Sequence, residues 1–253
     1  MSAHSMSNHE QDTNVGFGWR INRTALELLL YPLTPQEITP GTRDHLEQLR
    51  AYLKQGYAAL IPYNHPSLRD GPDIVLFLLR QRELQKKHII SAIGIHQYRK
   101  WMELIAKFSN VDLYPIMTPH ARTMEEFRDC SDMYGLKSYF TAVDKGLRTG
   151  ALIPITIGGQ RGDGFTNVVS THLDLSLRHN CSEKVVVVPF GLSIVDTEES
   201  LGDLDSLHVG KIFRYGIGEP VPVPKLLQRY SLHEVDGAQY RIIQSLVRGP
   251  MVQ

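Results

Sequence analysis

Short, densely apolar runs alternate with longer stretches in which apolar side chains return every third or fourth residue, from about residue 42 almost to the C-terminus. The short runs suit strands buried on both faces, and the longer periodic stretches suit helices laid over them. The first helix is expected through DHLEQLRAYLKQ, with Thr42 placed to cap it and Gly56 to stop it. A strand YAALIPY follows at 57–63, then a loop NHPSLRD at 64–70. Pro72 is a residue favoured at the start of a helix, and here it opens one carrying DIVLFLLRQRELQKK. Next come a strand HIISAIGI, a helix YRKWMELIAKF, a strand VDLYPIM and a long helical region from near Thr123 to Arg148. ALIPITI, 151–157, reads as a strand ending in the glycine-rich loop GGQRGDG. KVVVVPFGL is the clearest strand, because β-branched valines dominate it. KIFRYGIGEPVPVP reads as a late strand entering a proline-rich turn. Ser231 and Glu234 have the spacing of a capping box and open a closing helix through Val247.

This alternation predicts an α/β protein: a single domain with a largely parallel or mixed central sheet covered by helices. No internal repeat and no long linker divides the chain. The polar stretch 1–22 is expected to be a loosely packed tail, and 23–253 to be the domain.

Composition narrows the function. With 27 basic and 27 acidic residues, the chain has no basic excess of the kind an extended nucleic-acid surface needs. A local basic patch for a small anion is still compatible with that balance. The two cysteines, Cys130 and Cys181, are too few for a disulfide framework and have no metal-ligand spacing, which suits free thiols in a reducing compartment. The N-terminal MSAHSMSNHEQDTN has no apolar core of a secretory signal. No run approaches the ~20 apolar residues of a membrane-spanning helix. The expectation is a cytoplasmic protein able to touch the inner face of a membrane from outside the bilayer.

Candidate chemistry concentrates at His65. It sits where a strand gives way to a helix, the edge at which α/β proteins build their sites. Neutral imidazole is the general base best matched to physiological pH, and a carboxylate partner holds its tautomer and stabilises the imidazolium. Asp70, five residues on across a proline-containing turn, can supply that carboxylate. The competing structural reading is that Ser67 and Asp70 cap the following helix while His65 is only a hydrogen-bonded strand-end histidine.

The whole segment, a strand followed by Asn-His-Pro-Ser, Asp70 and an apolar helix, resembles the His-x4-Asp block of the glycerolipid acyltransferase superfamily. Weaker blocks follow in the family's order. The third family block, Phe-Pro-Glu-Gly-Thr-Arg, meets Ile157-Gly158-Gly159-Gln160-Arg161, in which Gly159 and Arg161 match while Gly158 stands at the glutamate position. VVVVPFG with Pro189 resembles the fourth block, and Gly218 begins a Gly-x-Pro turn like one near the family's C-terminus. VDLYPIMTPHAR, with Arg122, is a loose counterpart of the second block. The resemblance spans roughly 57–224.

It implies that His65 deprotonates an acceptor hydroxyl and Asp70 orients it. It further implies that Arg161 binds an acceptor phosphate, with Asn64, Gly158, Gly159 and Arg122 among the substrate contacts. Arginine suits that role because its planar fork gives paired charge-assisted hydrogen bonds to an oxyanion. The donor would be an acyl-CoA or acyl-carrier protein thioester and the acceptor a glycerol phosphate or lysophospholipid, with no cofactor and no metal. Gly158 removes a family carboxylate and leaves the acceptor open. A non-catalytic acyl- or lipid-binding protein on the same scaffold is the alternative, and a thioesterase is a third outcome.

Other signals are weaker. Tyr98, Trp101, Met102, Ile105 and Phe108 recur at helical spacing beside Arg99, Lys100 and Lys107, which fits a membrane-surface helix or, more commonly, a core-facing stripe. Leu28 to Tyr31 is a shorter apolar run of the same ambiguity. The eleven histidines show no metal-ligand spacing; His172 and His179 are seven apart. A Gly-x-Ser-x-Gly elbow is absent, and Gly16 with Gly18 follows no strand.

Overall fold

The computed structural model describes residues 36–64, 70–81, 84, 86–98, 106, 110–131, 133–157, 177, 183–194 and 213–248. The expected N-terminal tail, most of the Tyr98–Phe108 helix and the loop GGQRGDG lie outside them.

The described chain is an α/β domain built on one mostly parallel, mixed sheet. Its strands are β1 (Gln36–Ile38), β2 (Ala58–Tyr63), β3 (Ile89–Gly94), β4 (Val111–Ile116), β5 (Leu152–Thr156), β6 (Val185–Val187), β7 (Phe190–Ile194), β8 (Phe213–Ile217) and β9 (Val221–Pro222). Their order across the sheet is β1-β8-β7-β2-β5-β3-β4, with β6 beside β2 and β9 beside β6. Strands β2 to β7 run in one direction. β8 is antiparallel to β7, β9 is antiparallel to β6, and β1 is parallel to β8.

The helices are α1 (Thr42–Lys54), α2 (Asp70–Arg80), α3 (Pro119–Arg122), α4 (Leu136–Thr149), α5 (Val223–Arg229) and α6 (Leu232–Arg248). They cover both faces, and the period-two geometry of β2 divides the core between them. Ala59, Ile61 and Tyr63 point to one face, packing with Leu49 and Leu53 of α1 and Ile74, Phe77 and Leu78 of α2. Ala58 and Leu60 point to the other, with Tyr139, Val143 and Leu147 of α4 and Val235 and Ile243 of α6. On the first face Phe77 stacks on Tyr215 at 5.0 Å between ring centroids and meets Phe190 edge-on at 5.3 Å, which ties α2 to β7 and β8.

α1 packs on the first face. Its first turn is held at β8, where His45 Nδ1 donates to the Ile217 carbonyl at 2.6 Å and the Ile217 N–H donates to Thr42 Oγ1 at 3.1 Å. Its last turn is held ahead of β3, where Lys87 Nζ donates to the Leu53 carbonyl at 3.2 Å.

Four expectations are corrected. The helix expected from Thr123 to Arg148 is interrupted: α3 is followed by a 3-10 turn at Glu125–Phe127, and α4 begins only after Gly135, whose φ is +72°. The helix expected to begin at Pro72 starts at Asp70 and ends at Arg80, short of Lys87. KVVVVPFGL is two strands, parted at Val188 and Pro189. Gly41, rather than Thr42, precedes the first turn of α1. β1 and α5 were not expected from the sequence. The capping box is present, with the Ser231 N–H donating to Glu234 Oε2 at 2.8 Å.

Candidate active site

Since β2 to β7 share one direction, their C-terminal ends form a single edge, and the segments that leave it are the ones that can converge on a ligand. β2 and β5 are direct neighbours, with Tyr63 paired to Thr156. The Ile157 N–H donates to the Tyr63 carbonyl at 2.7 Å, so the pairing continues to the last residue before each loop. The chain leaves β2 through Asn64 towards 65–69, and leaves β5 through Ile157 towards 158–161, from adjacent positions on that edge.

His65, Gly158, Gly159 and Arg161 lie outside the described residues. Asp70 is the first residue of α2. His65 and Asp70 therefore belong to the connection between the carboxyl end of β2 and the start of the helix that follows it. Arg122 ends α3, just beyond β4, and its side chain is exposed. β4 is three strand steps from β2, about 14 Å. Arg122 thus shares the edge with the β2 and β5 exits but stands well to one side of them.

Asn64 is 2% exposed. Its Nδ2 donates to the Leu192 carbonyl at 2.7 Å, and its Oδ1 accepts from the Leu192 N–H at 2.8 Å. The side chain expected to contact substrate is instead committed to the backbone of β7.

Two polar residues on this edge were not singled out from the sequence. His96 follows β3, which lies between β5 and β4, and its Nδ1 is 3.3 Å from Thr118 Oγ1, just past β4. Gly94 makes room for the ring, since a Cβ there would lie 2.7 Å from His96 Cε1. A glycine at a strand end followed two residues later by histidine is the available sequence signal, and it is a faint one.

Resolved electrostatic shifts fall on Lys87, Tyr139, Tyr114 and Glu234. Loss of hydration lowers the Lys87 ammonium, and burial pushes the Tyr139 phenol above its ordinary range. Partial burial and, secondly, the Asp112 charge raise Tyr114 on β4. No helix among the described residues is long and apolar enough to cross a membrane. In comparisons with known proteins, the sequence matches no protein-family model and no curated protein.

Proposed function

We propose that this protein is an O-acyltransferase with a glycerolipid acyltransferase-like fold, in which His65 and Asp70 form the general-base pair. The observation that carries the reading is the adjacency of the β2 and β5 exits, with Tyr63 paired to Thr156 and Ile157 bonded to Tyr63. The two segments that resemble the family's base-bearing and phosphate-binding blocks leave neighbouring parallel strands at one sheet edge. A transferase needs that juxtaposition, because the base and the anchor of the acceptor must act on one molecule.

In this mechanism His65 removes the proton from the acceptor hydroxyl as its oxygen attacks the thioester carbonyl. Asp70 holds the ring and stabilises the imidazolium. The tetrahedral oxyanion is met by backbone N–H groups at the start of α2 or in the Gly158-Gly159 turn. Collapse breaks the carbon–sulfur bond, and the leaving thiolate takes the proton from the imidazolium. Arg161 holds the acceptor phosphate by paired charge-assisted hydrogen bonds. The donor is an acyl-CoA or acyl-carrier protein, and the working location is the cytoplasmic face of a membrane, where the lipid acceptor resides.

The test is thiol release from a long-chain acyl-CoA, with and without lysophosphatidic acid or glycerol 3-phosphate, for wild type and His65→Ala. Acceptor-dependent release that disappears in the variant is the expected result. Release that needs His65 but ignores both acceptors identifies a thioesterase. No release from folded protein, with acyl-CoA or acyl-carrier protein, identifies a non-catalytic acyl-binding scaffold.

A further inference from the structure

The ladder that ties β2 to its β6–β7 neighbour is interrupted just before the candidate site. β2 pairs with β6 as far as Leu60 and Val187, and the Val188 N–H still reaches the Leu60 carbonyl at 2.9 Å. Beyond that point comes Pro62, which has no N–H to give to the β7 side; Pro189 turns its carbonyl the other way, to the Gly218 N–H at 2.9 Å. Pairing resumes with a single register pair, Tyr63 to Phe190. The next connection is made by a side chain. The Asn64 carboxamide, one donor and one acceptor in a plane, is a peptide group in miniature, and it bonds both the C=O and the N–H of Leu192. It takes the place of a ladder rung at the level where the strand ends.

We infer that Asn64 is a positioning residue, which fixes the direction in which the chain leaves β2 and so sets the orientation of His65. The inference rests on the reading of His65 as the base. Consecutive α-carbons are about 3.8 Å apart. The Asn64 side chain is pinned to β7 and its backbone stands at the end of β2, so the point from which the chain departs towards His65 is held on both counts. On the β5 side the exit is tied by the Ile157 N–H to the Tyr63 carbonyl, and on the β7 side, past Pro62, the tie is the Asn64 carboxamide. Asn64 is also 2% exposed and has both ends of its carboxamide engaged, so it is placed to hold the frame and not to touch substrate.

The experiment uses the full chain as wild type, Asn64→Asp and Asn64→Ala, with folding checked by circular dichroism and thermal melting. Histidine-labelled protein gives the titration midpoint of the His65 imidazole, assigned by its disappearance in His65→Ala, and needs no turnover. The expected result is a displaced midpoint in both variants. In the acyl-transfer assay kcat falls by about 10²-fold, the scale of a small misplacement of a catalytic group, while acceptor KM stays within about twofold. Asn64→Ala adds no further loss in a His65→Ala background.

A raised acceptor KM with an unmoved imidazole midpoint overturns the inference in favour of substrate contact. An unchanged midpoint and kcat in folded variants overturns it outright. Should Asn64→Ala fail to fold, the isosteric Asn64→Asp carries the same comparison, because it keeps an acceptor for the Leu192 N–H and sets a carboxylate against the Leu192 carbonyl. A displaced midpoint in a wild type without transferase activity upholds the positioning role and overturns the proposed function. An active wild type whose variants keep the midpoint and kcat overturns only the positioning role.

Discussion

Gly135 has a φ of +72°, and a Cβ added to it would collide with the Pro115 carbonyl oxygen. Two penalties therefore meet at one atom, the left-handed backbone and a clash with main chain that has little room to move. Gly135→Ala is expected to cost about 2–4 kcal/mol, measured by urea denaturation, with a thermal midpoint several degrees lower. Tyr139 illustrates a titration effect with a definite sign. It is 1% exposed, and burial raises its phenol above the ordinary 10.0, so the fold favours the neutral form. Its contribution is intact below pH 10 and is lost as pH rises further, because only the unfolded chain ionises freely. Stability should therefore fall more steeply above pH 10 in wild type than in Tyr139→Phe. The difference should approach about 1.4 kcal/mol per pH unit.

Helix α2 follows the candidate catalytic segment, so its attachment governs how firmly that segment is held. The attachment is largely aromatic: Phe77, 3% exposed, contacts both Tyr215 and Phe190. Phe77→Ala is expected to cost about 3–5 kcal/mol, read from chemical denaturation, and to lower activity beyond the loss of folded protein. At the other end of the chain, α6 is started by Glu234, whose carboxylate accepts from the Ser231 hydroxyl at 2.7 Å and its N–H at 2.8 Å. The Ser231 hydroxyl bond and then the backbone bond hold the Glu234 carboxyl below its ordinary 4.5. A lowered carboxylate stabilises the fold above that value, and the gain is lost as pH falls through the carboxylate's own titration. Glu234→Gln should therefore melt at a lower temperature than wild type at neutral pH, and the gap should close in acid.

At the scale of the whole molecule, the proposed reaction would draw on two arginines for one anionic acceptor, from unequal positions. Arg161 lies four residues past Ile157, on the segment that leaves the strand beside β2, whereas Arg122 follows β4, three strand steps away. Arg161→Ala is expected to raise the KM for a phosphate-bearing acceptor by about tenfold to a hundredfold, the worth of a charged hydrogen-bond pair. Arg122→Ala is expected to change it by less than about threefold. Steady-state kinetics with phosphorylated and dephosphorylated acceptors measures both effects. Equal losses would mean that the acceptor spans the edge from β5 to β4.

The sequence alone established the α/β class, most strands of the parallel sheet and the capping box, and it singled out the proposed base pair, because each leaves a local signature. Valine-rich runs, helical periodicity, a Ser-x-x-Glu box and a short polar loop between strand and helix can all be read within a window of ten residues. Tertiary structure decided what depends on partners distant in sequence. The strand order, which sets β5 between β2 and β3, follows from the packing of both sheet faces and has no trace in any one segment. The break before α4 was invisible because a helical pattern does not record that Gly135 must pass against Pro115. The division of KVVVVPFGL depended on distant partners, since Val185–Val187 pair with β2 and β9 whereas Phe190–Ile194 pair with β8. Asn64 was expected among the substrate contacts by resemblance alone. Leu192, 128 residues away, engages both ends of its carboxamide.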